Sequence, residues 1–313
     1  MKAVQISRYG DVGVLSVTQD ALRPAASGGK VVVEVKFASL NPADSMLRMG
    51  YMAKMAPLTF PATLGTDLAG VVVETGAGVS GLSNGDMAYG TASLLGGGTG
   101  AFAQFAGAPA GTLAKVPDGL GLMEAAAVPL TAVSALEIID EKLKVRKGQR
   151  LLIHGGSGGI GTIAIQLAKH RGAFVTTTVL GASAAAYAKA LGADAVIDAQ
   201  KESFETTLSG YDFVLDTVAG ETYRKSFAVL KEGGSIISML ERPNTELMAQ
   251  FGVTALFQGT QVTSARLDAV SDLIRRQIIK VHVDRVFPVD QVKEAFQARE
   301  SGNVRGKIVL SFT

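Results

Sequence analysis

Two patterns of apolar and polar positions divide this chain. Residues 30–37 (Lys-Val-Val-Val-Glu-Val-Lys-Phe) are β-branched and alternate in part, as a half-buried strand does. Residues 68–76 read as a second strand running into a glycine turn, and 85–89 and 100–105 as further strands of one mostly-β unit. Asn41-Pro42-Ala43-Asp44 is a turn signal ahead of a short helix-like segment, 45–49. From about Gly121 the pattern changes. Short apolar runs at 151–153, 174–178, 195–197, 213–216 and 235–238 alternate with helix-period segments, among them 184–191 and 221–230. Strand–helix alternation of this kind predicts a doubly wound parallel sheet, with ligands at the carboxyl ends of its strands. The tail repeats helix (265–277), strand (280–286), helix (289–299) and strand (307–312), and is expected to return to the first unit. The expected organisation is α/β: residues 123–264 form the parallel domain, inserted into a mostly-β domain made of 1–122 and 265–313.

The first run of the parallel domain ends in Gly156-Ser157-Gly158-Gly159-Ile160-Gly161 and opens into a helix-period segment. Gly156-x-Gly158-x-x-Gly161 has the dinucleotide-binding spacing. The first glycine permits the tight turn, the second lets the backbone approach a pyrophosphate, and the third lets helix pack on strand. The helix N-terminus then offers N–H donors and a partial positive charge to phosphate. These six residues are the expected phosphate-side contacts.

Composition narrows the function classes. At 313 residues the chain is long for one core, and 47% hydrophobic content indicates well-buried domains. Thirty basic against 28 acidic residues give no electrostatic case for nucleic acid or an anionic membrane. The most apolar stretch, 120–139, is broken by Glu124, Pro129 and Glu137, so no membrane span is expected. The start, Met1-Lys2-Ala3-Val4, has no signal-peptide pattern, and a cytoplasmic setting is expected. There is no cysteine, and the three histidines (His154, His170, His282) match no ligand spacing, so no metal is expected.

Five motifs in order carry a resemblance. They are Asn41-Pro42-Ala43-Asp44, the run Phe60-Pro61-Ala62-Thr63-Leu64-Gly65-Thr66-Asp67-Leu68-Ala69-Gly70, Ala126-Ala127-Val128-Pro129-Leu130-Thr131-Ala132, Gly192-Ala193-Asp194 and Gly306-Lys307-Ile308-Val309. Together they resemble the zinc-independent quinone oxidoreductase branch of the medium-chain dehydrogenase/reductase family, over nearly the whole chain. The resemblance implies a Rossmann-type sheet plus a GroES-like mostly-β catalytic domain. It also implies NADPH-linked reduction of quinones, or of double bonds conjugated to a carbonyl. By the same resemblance Asn41 and Asp44 sit at the nicotinamide end of the site, Thr131 contacts the cofactor, and Leu240 lies along it. Tyr51 resembles the branch's tyrosine near the substrate, where a phenol orients a carbonyl or donates a proton. Arg48 reads as a solvated helix residue, with contact to cofactor phosphate as the alternative. The edge at 254–262 is expected to pair with its symmetry mate in a homodimer.

Coenzyme choice is read from the second strand of the parallel domain. NAD sites place an acid about 20 residues past the glycine loop. Here the strand runs through Thr178 to Val179-Leu180-Gly181-Ala182-Ser183 without one, which favours NADPH (NADP). No Lys or Arg follows directly, so Ser183, Tyr187 and Lys189 are the expected clamp. Competing readings are a nucleotide-binding redox sensor or crystallin-like protein with little turnover, and a reductase module of a larger synthase.

Overall fold

The structure, a computed structural model, describes all 313 residues. In chain order the elements begin with β1 (Ala3–Ile6), β2 (Ser16–Thr18), β3 (Lys30–Ser39), α1 (Pro42–Arg48), β4 (Ala62–Thr63), β5 (Asp67–Thr75), β6 (Met87–Thr91), β7 (Phe105–Pro109) and β8 (Leu113–Lys115). Helices α2 (Leu122–Ala126) and α3 (Pro129–Leu136) follow. The parallel region comprises β9 (Arg150–His154), α4 (Gly159–His170), β10 (Phe174–Val179), α5 (Ala182–Ala190), β11 (Ala195–Asp198), α6 (Phe204–Thr207), β12 (Tyr211–Asp216), α7 (Gly220–Ser226), β13 (Leu230–Ser238), α8 (Thr245–Phe251) and β14 (Thr254–Phe257). The chain ends with α9 (Ser264–Arg275), β15 (Val283–Pro288), α10 (Val292–Glu300) and β16 (Lys307–Ser311).

These elements form two compact units. Met1–Leu130, Val262–Arg276 and Val281–Thr313 make the first; Thr131–Gln261 and Gln277–Lys280 make the second. In the first, a sheet of order β15-β16-β3-β5-β6-β8 also carries β7 beside β3, and a small sheet has order β2-β1-β4. Val31, Val33 and Val35 of β3 pack with Leu68 and Val72 of β5 and Phe296 of α10 in one apolar core. The antiparallel pairing of β16 with β3 sets Val309 opposite Ser39, so the last strand lies beside the residues that lead into α1.

The second unit is one parallel sheet of order β11-β10-β9-β12-β13-β14. Counted from β9, this is 3-2-1-4-5-6, the doubly wound order whose direction reverses at the first strand. Leu151, Leu152 and Ile153 of β9 are fully buried, as a central strand covered on both faces must be.

Two expected strands are corrected. Residues 100–105 form no continuous strand, with one bridge from Ala3 to Ala103 and Phe105 opening β7, because their backbone groups divide among different partners: Ala101 N and Phe102 N donate to the Gly65 and Leu64 carbonyls, and Gln104 N to that of Lys2. The strand expected at 254–262 stops at Phe257, because Gln258 turns inward and its Nε2 donates to Glu137 Oε2 at 2.6 Å. Glu137 belongs to a six-residue π-helical segment, Glu137–Lys142, that continues α3.

Candidate functional site

The glycine loop leaves β9 at the point where the strand order reverses. Its three motif glycines do different work. A β-carbon on Gly156 would lie 1.9 Å from Thr177 Oγ1 of β10, and one on Gly161 would lie 2.3 Å from the Gly155 carbonyl oxygen. Both are fixed by packing inside the fold. At Gly158 a β-carbon would meet only the Gly155 carbonyl oxygen, at 3.3 Å, a tight contact but far looser than those at Gly156 and Gly161. A glycine there also leaves room for the close approach of a ligand.

Behind Gly158, α4 begins with no side-chain cap and no acidic residue in its first turn. The Gly159, Ile160 and Gly161 N–H groups have no protein acceptor; the first intrahelical bond runs from Thr162 N to Gly158 O at 2.9 Å. Ser157 is half-buried beside them. This is a prepared anion site, with free donors and a helix dipole. Thr178 supports the loop: its carbonyl accepts from Gly155 N at 3.1 Å and Gly156 N at 3.0 Å, and its hydroxyl is 3.0 Å from His154 Nδ1. His154 is fully buried against Phe204, its Nε2 is 2.9 Å from Ser226 Oγ, and burial holds its pKa down at about 3, so the ring is neutral.

At the carboxyl ends of β12 and β13, Ser238 Oγ donates to Asp216 Oδ2 at 2.6 Å and accepts from Leu240 N at 3.1 Å. Asp216 Oδ1 accepts from Val218 N and Ala219 N, both at 3.0 Å. Sequence reasoning missed Asp216, although an acid closing a buried apolar strand was its signal. The Leu240 side chain is exposed. Ser183 and Tyr187 lie on the first two turns of α5, next to the end of β10, while Lys189 lies in its last turn.

In the first unit, Asn41 and Asp44 sit in a buried polar network. Asn41 precedes α1 and Asp44 is its third residue; Asp44 Oδ2 accepts from Asn41 N at 2.7 Å in a capping box. The Asn41 amide donates to Asp67 Oδ2 at 2.9 Å, and its oxygen accepts from Lys307 Nζ at 2.5 Å. Lys307 Nζ also donates to the Leu40 carbonyl at 2.8 Å and lies 3.7 Å from Asp67 Oδ2. Asp67 Oδ1 accepts from Leu130 N, at the start of α3, at 3.2 Å. Asn41, Asp44, Asp67 and Lys307 are each at most 5% exposed. Burial raises the Asp44 carboxyl to about 6 and raises Asp67, while burial lowers Lys307. The half-buried Thr66 donates its hydroxyl to Asp44 Oδ1 at 2.8 Å, and links the network to the surface of the unit. Asp67, Lys307 and Thr66 stand in the sequence motifs without a role that spacing could assign.

Arg48 is a correction: it is fully buried, not solvated. Its Nη2 lies 3.0 Å from Glu300 Oε1 and its guanidinium stacks 5.2 Å from the Phe296 ring centroid, both on α10. Tyr51 is 71% exposed, and no hydrogen bond ties its phenol to Asn41 or Asp44. Thr131 is buried on α3.

Residues 27–118 match the family described as the alcohol dehydrogenase GroES-like domain, and 191–310 match one described as zinc-binding dehydrogenase. Zinc does not fit the residues present: the chain has no cysteine, and nowhere do three or more His, Asp or Glu side chains converge to ligate an ion. The chain is 34% identical over 319 residues to a 2-methylene-furan-3-one reductase of Solanum lycopersicum, covering 99% of this chain and 79% of that protein. It is 33% identical over 321 residues to a chloroplastic NADPH-dependent alkenal/one oxidoreductase of Arabidopsis thaliana, with coverage of 99% and 79%. The solved quinone oxidoreductase of Coxiella burnetii superposes with a TM-score of 0.93 at 30% identity, covering 100% of this chain and 99% of that one. The GroES-like unit, the 3-2-1-4-5-6 sheet and these relatives together decide the family: the chain belongs to the medium-chain dehydrogenase/reductase family, in its quinone oxidoreductase and enone reductase branch.

Proposed function

We propose that this protein is an NADPH-dependent reductase of quinones or of carbon–carbon double bonds conjugated to a carbonyl, working without zinc. One observation carries the reading: Gly158 leads into three unpartnered N–H groups at the uncapped start of α4. The names of its relatives supply the substrate class.

In this reading Gly156–Gly161 hold the pyrophosphate and Ser183 and Tyr187 flank the adenosine ribose. Thr178 keeps the loop in place, and Leu240 and Thr131 lie toward the nicotinamide. NADPH, when bound, supplies a hydride; the chain's task is to orient the reacting groups and exclude water. Reduction of an enone at its β-carbon leaves negative charge on oxygen, which hydrogen-bond donors stabilise. Tyr51 is assigned as such a donor. Asn41 and Asp44, enclosed in their network, are assigned to positioning Thr66 and the start of α3 rather than to contact with substrate.

The discontinuous GroES-like domain of 1–122 and 265–313 around a nucleotide domain of 123–264, and a homodimer through the β14 edge, belong to the proposal. So does the cytoplasmic setting; no helix is long and apolar enough to cross a membrane. The test is oxidation of NADPH and NADH by the purified protein with a benzoquinone, a larger quinone, an alkyl enone, acrolein and a saturated aldehyde. Turnover of enones or quinones with NADPH, and none of the aldehyde, is expected. Coenzyme binding without any turnover would make the protein a nucleotide-binding sensor instead.

A further inference from the structure

The expected clamp for a 2′-phosphate lacks a cation beside the end of β10, and the nearest suitable one comes from a different strand. In a sheet of this order the adenosine ribose lies at the carboxyl end of the second strand, here β10. Lys189 is the only basic residue of α5, and it sits in the last turn, seven residues past Ala182 and about 10 Å along the helix axis. It is at the wrong end of its helix. The neighbour of β10 on its outer side is β11, in parallel register with Val179 opposite Asp198. The loop leaving β11 therefore emerges beside the loop leaving β10. The two are joined: Asp198 Oδ1 accepts from Gly181 N at 2.9 Å and from Gln200 N at 3.2 Å.

That junction places a carboxylate next to the ribose position without offering it to a ribose hydroxyl. Asp198 Oδ1 is spent on the two backbone N–H groups, which lower the carboxyl's pKa. Its Oδ2 is buried and has no hydrogen bond. The one cation near it is Lys201, whose Nζ stands 3.6 Å from Oδ2, beyond hydrogen-bond length, with 70% of the side chain exposed. The lysine is held close by charge but not committed.

We propose that Lys201, from the β11 loop, is the coenzyme-selecting cation: its ammonium receives the 2′-phosphate of NADPH while remaining paired with Asp198. The inference rests on the NADPH-dependent reading above. Lys201 performs two tasks in it. It neutralises the carboxylate that would otherwise repel the phosphate, and it supplies a charge-assisted donor to the phosphate oxygens. An ammonium shared between a fixed carboxylate and a phosphate also explains why a loop with no Lys or Arg directly after β10 still suits NADPH.

The test is titration of the purified full-length protein with NADPH, NADH, 2′,5′-ADP and 5′-AMP, following binding by calorimetry, for wild type, Lys201→Ala, Lys201→Arg and Lys189→Ala. Lys201→Ala is expected to weaken NADPH and 2′,5′-ADP about tenfold, the worth of one charged hydrogen bond, and to leave NADH and 5′-AMP within about twofold. Lys201→Arg is expected to restore the preference, and Lys189→Ala to leave it unchanged. An unchanged NADPH-to-NADH ratio in Lys201→Ala overturns the inference and leaves the reductase reading standing. A wild type that binds neither coenzyme overturns both.

Discussion

Thr177 Oγ1 occupies the space in which Gly156 would otherwise carry a side chain: a β-carbon on that glycine would lie 1.9 Å from the oxygen, which itself donates to the Ile153 carbonyl at 2.7 Å. Gly156 is thus a packing requirement of neighbouring strands. Gly158, two residues on, is far less crowded: a β-carbon there would meet only the Gly155 carbonyl oxygen, at 3.3 Å. One motif therefore contains glycines whose losses must differ in kind.

Gly158→Ala is expected to fold with stability within about 1 kcal/mol of wild type, since its φ of −79° and ψ of 173° suit alanine. It is expected to lose most of the rise in Tm that NADPH produces. Gly156→Ala is expected to lose about 1–3 kcal/mol or more with no coenzyme present, because the overpacked strand must shift. Thermal melts with and without NADPH separate the two; equal effects of both substitutions without coenzyme would refute the division.

The Asn41–Asp67–Lys307 network predicts an asymmetric response to charge removal. Lys307→Met leaves Asp67 and the Asn41 oxygen buried without their cation, and is expected to cost about 3–5 kcal/mol in urea denaturation. The double variant Lys307→Met with Asp67→Asn removes both charges and is expected to recover part of that loss. A single variant costing less than about 1 kcal/mol would show that water reaches the network.

His154 predicts acid sensitivity. Its folded pKa is depressed from 6.5 to about 3, so between those values the unfolded chain binds the proton and the folded chain does not. The stability it contributes is full above pH 6.5 and declines, by up to roughly 1.4 kcal/mol per pH unit, as pH falls toward 3. His154→Gln is expected to be less stable than wild type at neutral pH, with the gap closing on acidification. A gap that stays constant with pH would mean the ring titrates normally.

Asp44 works in the opposite direction. Its folded pKa is raised from 3.8 to about 6, so its contribution is full below pH 3.8 and is lost as pH rises through 6. Asp44→Asn keeps an acceptor for the Asn41 N–H and removes the buried charge. Relative to wild type, the variant is expected to gain up to about 3 kcal/mol between pH 4 and pH 7. Stability curves for the two proteins that run parallel across that range would contradict the assignment.

How much of this was legible in the chain depends on how far apart the interacting groups lie. The parallel sheet and its glycine loop were readable because their signals are local: short apolar runs, turn residues, and glycines two and three positions apart. The strand expected at 100–105 is an irregular buried segment instead, because alternation cannot distinguish the two when both are apolar. Arg48 reads as solvated because a charged residue on a short helix is usually exposed; its partner Glu300 is 252 residues away.

The sequence by itself determined the two classes of domain, the nucleotide loop and the absence of any cysteine ligand, since each follows from residue types at short, fixed spacing. Tertiary structure alone decided what the charged residues do. It brought Lys307 to Asn41 across 266 positions and Asp67 to Asn41 across 26, and strand order set Asp198 against Gly181. The physical reason is that a backbone period is written in neighbouring residues. A buried charge, by contrast, is stable only when partners from elsewhere in the chain converge on it, and that convergence exists only once the sheets have formed.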